Sequence, residues 1–245
     1  MIVIPAFNEE STVKEVVSSV PRKIPGSSSV HVLLVDDGSS DNTAREALEG
    51  GADKIIRHSR NMGVAAAIKH GIQCALQMGA DVICMIDSDG QFLPSEIPLV
   101  VAPIVDGTAD IVIGSRFSSS RVPRGISYIR HLGNKIIARI MRALTMRSLS
   151  DAETGFRAIS RPAALGLRLI GYFTFTHDML LDVAARGLRM KEVPVRVTYL
   201  PHRQSRAVKN TFYYSLSFLS IVLLKSIQLF FRSLTGELSH ARRRG

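Results

Sequence analysis

Cysteine is nearly missing from this chain. Its two copies, Cys74 in a helical pattern and Cys84 in a central apolar run, make no metal-ligand or redox spacing. Both read as reduced core residues, which favours the cytosol over an oxidising compartment. The Gly-x-Gly-x-x-Gly turn of a dinucleotide site is missing too. Pro5-Ala6-Phe7-Asn8-Glu9 stands after the first strand-like run instead, so NAD binding in the usual way is not expected. The chain opens on that run, Met1 to Ile4, without the charged, apolar and small-residue order of a signal peptide. There is no internal repeat or long low-complexity tract. Neither a helix-turn-helix pattern nor an aromatic-basic stacking motif is present, so nucleic-acid binding has no support beyond charge.

What is present bounds the class. A length of 245 residues with 46% hydrophobic residues suits one domain, or one and a half, with a sizeable core. The net charge of +10 implies an anionic partner: nucleic acid, a phosphate-bearing substrate or a membrane surface.

The most informative stretch runs from Asp81 to Gln91. Val82 to Ile86 form a continuous apolar run too short for a helix, which predicts a strand buried on both faces. Asp87 and Asp89 follow two residues apart, so an extended backbone aims both carboxylates the same way. Converging carboxylates at a buried strand end are costly unless a cation or hydrogen bonds compensate them. With Gln91 nearby, the oxygen set suits Mg²⁺ or Mn²⁺. A solvated Asp-Ser-Asp-Gly turn is the alternative.

Strands and helices alternate from residue 1 to 114. Strands are predicted at Ile2 to Ile4, Val30 to Val35, Ile55-Ile56, Val82 to Ile86 and Ile111 to Ile113. Helices are predicted after Asn8, after Asp41-Asn42-Thr43, up to about Met78, and from near Pro94. This order predicts an α/β fold with a mainly parallel sheet and crossover helices. Ligands bind at the carboxyl ends of such strands. Pro5 to Glu9, Asp36 to Ser39, Asp87 to Gln91 and Gly114-Ser115-Arg116 all fall there.

Those four segments together resemble a family 2 glycosyltransferase of the GT-A fold. Further on, Arg130-His131-Leu132-Gly133-Asn134, Asp151-Ala152-Glu153-Thr154-Gly155-Phe156-Arg157 and Glu192-Val193-Pro194 resemble the branch of dolichyl-phosphate mannose synthases and polyprenyl-phosphate glucosyltransferases. The likeness covers roughly residues 1 to 206.

The resemblance implies a GT-A domain that takes a GDP- or UDP-sugar as donor. Asp89 and Gln91 would hold the metal and the donor diphosphate, with Asp87 and the Ser88 backbone against the nucleotide sugar. Pro5, Phe7, Glu9, Val35 and Asp37 match positions that contact the nucleoside. Phe7 replaces a frequent tyrosine, so any contact through that hydroxyl is lost. Glu9 could instead favour a helix start, and an Asx-type turn is the alternative for Asp36 or Asp37. Arg116 and Arg130 would gather an acceptor phosphate, with Asn134 nearby, and complete the catalytic set with Asp89. The segment Pro201-His202-Arg203-Gln204-Ser205-Arg206 departs from the family's Gly-x-Ser-Lys pattern, and Arg203, Ser205 and Arg206 are expected to close over the phosphates.

Phe212 to Leu224 is almost continuously apolar, and Lys225, Gln228 and Arg232 then recur at helical spacing. A lysine near the middle of a span costs roughly 2.5 to 3.5 kcal/mol. An amphipathic helix over 207–236 lying in the membrane interface avoids that cost, with a basic tail over 237–245. A packed helix and a spanning helix are the alternatives.

The expected activity is inverting, metal-dependent transfer of one sugar onto a polyprenyl or dolichyl phosphate by a peripheral enzyme at the cytoplasmic membrane face. Inversion comes from the resemblance. A lipid phosphate is already anionic at neutral pH, so its oxygen needs no general base. A hydroxyl of a glycan or lipid is the alternative acceptor; it would need a base, for which Asp178 is the candidate. His177 is read as a capping or surface residue.

Overall fold

The computed structural model describes residues 1–118, 126, 128–169, 175–199 and 220, with the side chains of 128–130 outside that set. Strand and helix alternate as β1 (Ile2–Ala6), α1 (Val13–Ser18), β2 (Val32–Asp36), α2 (Thr43–Glu49), β3 (Lys54–Arg57), α3 (Val64–Gln77), β4 (Val82–Met85), α4 (Ile97–Val105) and β5 (Ile111–Ser115). The second half supplies α5 (Tyr128–Thr145), β6 (Arg157–Ser160), α6 (Arg161–Leu165), α7 (Phe175–Ala185) and β7 (Met190–Pro194). The sheet order is β3-β2-β1-β4-β6-β5-β7.

The apolar runs lie at the centre of the sheet because each strand there is covered on both faces. Alternation along the strands divides them between two cores. Ile2, Ile4, Val32 and Leu34 face α1 and α4, whereas Val3, Leu33 and Val35 face α3. Gly71 brings α3 close to β1: a β-carbon there would sit 2.4 Å from Val3 Cγ1. A third cluster joins Met141 of α5 to Ile113, Leu180 and Leu181.

β1 is parallel to both β2 and β4, and β2 to β3. β6 runs antiparallel to β4 on one side and to β5 on the other, so β5 keeps the direction of β1, β2 and β4. These strands therefore end at one edge of the sheet, and the loops after them converge there. β6 starts at Arg157, the last residue of the Asp151–Arg157 motif, and the sequence reading places no strand there. It is short and begins with a charged residue, Arg157, whose guanidinium is wholly buried.

Among the described residues no helix is long and apolar enough to cross a membrane. Apart from Ser220, the expected helix over 207–236 lies outside the described residues, as do the tail over 237–245 and Arg203, Ser205 and Arg206.

Candidate active site

The loops after β1 and β2 are laced together by short polar side chains. Asn8, in the left-handed backbone region at φ 55°, donates its amide to Ser39 Oγ at 2.9 Å and accepts from Ser40 N at 2.8 Å. Glu9 N donates to Thr43 Oγ1 at 2.7 Å, and Thr43 N donates to Asp41 Oδ1 at 3.0 Å. The loop after β4 joins them. Ser88 Oγ donates to Pro5 O at 2.8 Å, while Thr12 Oγ1 donates to Ser88 O at 2.9 Å and lies 3.2 Å from Glu9 Oε2. Pro5, Glu9 and Ser88 are thus held in one constellation, and Phe7 lies between Pro5 and Glu9 in the chain. Val35 pairs with Pro5 across the sheet, and its side chain is wholly buried beneath α3.

The two carboxylates after β2 have separate partners. Asp36 accepts from Ser39 N at 2.9 Å, an Asx-type turn, and lies 3.1 Å from Arg57 Nε. Asp37 accepts from Met62 N at 2.8 Å and Gly63 N at 2.7 Å, with His58 Nδ1 2.7 Å away. His58 Nε2 in turn meets His70 Nδ1 at 2.8 Å. His58 thus bridges Asp37 and His70 through its two ring nitrogens. Asp37 therefore fixes the loop before α3.

At the end of β4, burial pushes the Asp87 carboxyl up to about 7, and the charge of Asp89 adds to this; Arg116 and Arg157 act in the opposite direction. Gly155 lies directly against this carboxylate. A β-carbon there would fall 2.6 Å from Asp87 Oδ1, which explains glycine at that point of the motif. Asp89 Oδ1 accepts from Gln91 N at 3.0 Å. The Gln91 carbonyl accepts from Thr198 N at 2.9 Å.

Arg116 is gripped by Asp151. Its Nε lies 2.7 Å from Asp151 Oδ2 and its Nη2 2.8 Å from Oδ1, and its backbone amide donates to Oδ2 at 3.1 Å. Nη1 donates to Tyr199 OH at 3.3 Å. Burial alone would raise the pKa of Asp151, but the Arg116 charge and hydrogen bonds more than offset this and hold it below the ordinary aspartate value. Glu192 of β7 fixes the pair from behind by accepting from Ser150 N at 2.8 Å and Asp151 N at 3.0 Å. Arg157 donates to the carbonyls of Thr154 at 2.9 Å, Thr176 at 2.6 Å and Ala152 at 2.7 Å, tying the Asp151–Phe156 loop to the start of α7.

Arg130 is on α5, and its side chain is outside the described set. Asn134, on the next turn of that helix, donates Nδ2 to Ser150 O at 3.1 Å. His177, read from the sequence as a capping or surface residue, is wholly buried instead. Burial, with the Arg157 charge second, pushes its pKa down to about 3, so the ring is neutral. Asp178 is wholly buried beside it.

Asp151, Glu192, Gly155 and Arg157 belong to motifs that carry the resemblance, yet nothing in sequence shows which atoms they hold. His58 and His70 carry no sequence signal of their own. Their pairing appears only when α3 packs beside the loop after β3.

A mainly parallel sheet with paired acidic residues at its strand ends, beside an arginine clasped by an aspartate, is a GT-A architecture. Glucosyl-3-phosphoglycerate synthase from Mycobacterium tuberculosis, solved with Mn²⁺, UDP and glucosyl-3-phosphoglycerate, shares the fold. It matches with a TM-score of 0.69 and 22% identity over 91% of this chain and 78% of that one. Residues 1–166 match the model of glycosyl transferase family 2, and the chain belongs to that family and is a glycosyltransferase. It is 28% identical to UDP-N-acetylglucosamine–dolichyl-phosphate N-acetylglucosaminyltransferase of Methanococcus voltae, across 84% of this chain and 88% of the relative. It is also 28% identical to polyprenol monophosphomannose synthase of Mycolicibacterium smegmatis, across 81% and 77%.

Proposed function

We propose that this enzyme moves one sugar, with inversion, from a GDP- or UDP-sugar to a polyprenyl or dolichyl phosphate at the cytoplasmic face of a membrane. The observation that carries this reading is the Asp87–Asp89 pair at the β4 end, with the Asp151-clasped Arg116 close enough to act on the Asp87 charge. Both relatives above are named for transfer to a lipid phosphate.

The residues fit a divalent cation. Two carboxylates whose charges oppose each other favour a counter-ion, and Mg²⁺ and Mn²⁺ suit oxygen donors shared with substrate phosphates. Among the described residues no group of three or more His, Cys, Asp or Glu side chains is placed to hold a metal ion, so phosphate oxygens would complete the shell. Asp89 and Gln91 would hold the ion, which supplies charge neutralisation for the departing diphosphate.

The chain's own residues do the rest. Pro5, Phe7, Glu9, Val35 and Asp37 shape the nucleoside end, and Asp87 and Ser88 lie along the sugar diphosphate. Arg116 has five N–H donors. Three are used on Asp151 and Tyr199, which leaves two, in a fixed plane, for the acceptor's phosphate oxygens. By the resemblance, Arg130 and Asn134 of α5 would join Arg116 on the acceptor phosphate, and Arg203, Ser205 and Arg206 would close over the phosphates. The attacking phosphate oxygen is already charged, so positioning replaces proton removal. Complete burial of Asp178 and a neutral, buried His177 leave neither placed to deprotonate a hydroxyl acceptor, which favours the lipid phosphate. Residues 1–206 would form the transferase unit, with 207–236 as a membrane-interface helix and 237–245 as its basic tail.

The test is incubation with Mn²⁺, a panel of labelled nucleotide sugars and a short polyprenyl phosphate. One donor is expected to yield an alkali-stable but mild-acid-labile lipid-linked sugar. Absence of lipid-linked product with every donor would overturn the acceptor assignment.

A further inference from the structure

One buried nitrogen beside the site is left unbonded by the fold. His131 Nδ1, on α5, is sealed from solvent and has no hydrogen-bond partner among the described residues. Buried polar atoms are nearly always bonded, so an exception calls for a group that the fold itself does not supply. Packing holds the ring in place: it lies on Phe117 at 5.3 Å between centroids, tilted by 43°. Arg116 shares that neighbour, its guanidinium carbon 5.3 Å from the centre of the Phe117 ring. Two serines tie these pieces into one frame. Ser115 Oγ accepts from Phe117 N at 3.1 Å and meets Ser150 Oγ at 2.7 Å. The Ser150 carbonyl accepts from Asn134, which lies three residues beyond His131 on the same face of α5. Asn134 Oδ1 is likewise buried and without a partner among the described residues.

From this we propose that His131 Nδ1 donates a hydrogen bond to the acceptor's phosphate, which makes His131 a further binding residue beside Arg116. The inference deepens the lipid-phosphate reading and rests on it for the identity of the acceptor. Imidazole in either protonation state can present Nδ1–H, so the donor is there whether or not the ring is charged. A phosphate suits it because its several oxygens can take the remaining Arg116 N–H groups and His131 together. From Ile111 to Ser150 the chain has no Asp or Glu to compete for that proton. The donor's diphosphate is the other source of such oxygens; the place of the ring beside Arg116 and one turn from Asn134 favours the acceptor.

Two substitutions separate the nitrogen from the ring. His131→Phe keeps an aromatic ring against Phe117 and removes the donor, whereas His131→Asn loses the ring and keeps an N–H as far from the backbone as Nδ1. With a short, water-soluble prenyl phosphate as acceptor, His131→Phe should weaken its use about tenfold to a hundredfold, the change falling on KM for the acceptor rather than on kcat. His131→Asn should recover most of that loss. A parent-like KM in His131→Phe would overturn the proposal, whatever His131→Asn does, because packing alone would then account for the ring. A second measurement uses the full-length parent with isotope-labelled histidine. The Nδ1 signal that is missing from spectra of His131→Phe should move when the prenyl phosphate is added and stay still with UDP or GDP and Mg²⁺. Movement with a nucleotide alone would place the ring on the donor diphosphate, and no movement with either would leave Nδ1 to an ordered water; each result would overturn the proposal. If the parent makes no lipid-linked sugar, the lipid-phosphate reading fails, while the Nδ1 signal still decides whether His131 takes the phosphate.

Discussion

Asp151 and Asp37 show how single carboxylates set the site. Asp151 balances a mostly buried guanidinium, and removing one partner of such a pair costs about 3–5 kcal/mol because the other charge is left behind. Asp151→Asn should lose stability of that order in urea titrations at neutral pH. The pH dependence follows from the depressed carboxyl. The unfolded chain binds this proton near the ordinary value of about 3.9, whereas the folded protein binds it lower. The contribution is therefore complete above that value and lost as pH falls through the folded one. Wild-type stability should decline faster than that of Asp151→Asn in this acid window; equal slopes would contradict the pairing. At Asp37, His58→Phe removes one of three donors from a buried carboxylate, a loss of about 1–3 kcal/mol. Nucleotide affinity measured by calorimetry should fall with it. Unaltered affinity would mean that the Asp37 contact to the nucleoside does not depend on His58.

At the level of elements, close backbone approach matters most where α3 crosses β1. Gly71→Ala forces a methyl group to 2.4 Å from Val3 Cγ1. Overpacking of this kind costs about 1–3 kcal/mol, so the thermal midpoint should drop while turnover per folded molecule is kept; an unchanged midpoint would show that the contact relaxes freely. This level also separates what could be read in the chain from what could not. β1, β2 and β4 are legible because burial on both faces demands unbroken apolar runs. β6 is hidden because only four residues form it and Arg157 opens it, bonded to carbonyls that the sequence does not place nearby. The carboxylates at the strand ends are likewise visible as local patterns. Their supports are not. Glu192 reaches Ser150 across 42 residues, and Gly155 reaches Asp87 from the neighbouring strand's approach loop. Only the antiparallel insertion of β6 between β4 and β5 brings those pieces together.

Over the whole molecule, ion pairs such as Lys14–Glu49, Arg22–Asp53 and Arg57–Asp36 join the two signs of charge, but one long stretch of the chain is free of acid. Acidic residues, Glu9, Asp36, Asp37, Asp87 and Asp89, gather at the carboxyl edge of the sheet, while the stretch that bears Arg116 and α5 has no acid at all. A diphosphate approaching the acidic edge alone would be repelled. The arrangement makes sense if a dication joins phosphate to carboxylate on one side and arginine receives the acceptor phosphate on the other. A dication placed this way would stabilise the charge developing on the departing diphosphate by several kcal/mol, on the order of a hundredfold or more in rate.

Titration calorimetry of UDP and GDP with and without Mn²⁺, on the parent and Asp89→Ala, tests this bridge most directly. One nucleotide should bind tightly to the parent only when Mn²⁺ is present, and Asp89→Ala should abolish that gain while keeping its thermal midpoint. Equal affinity with and without the ion, or a full metal-dependent gain in Asp89→Ala, would contradict the account.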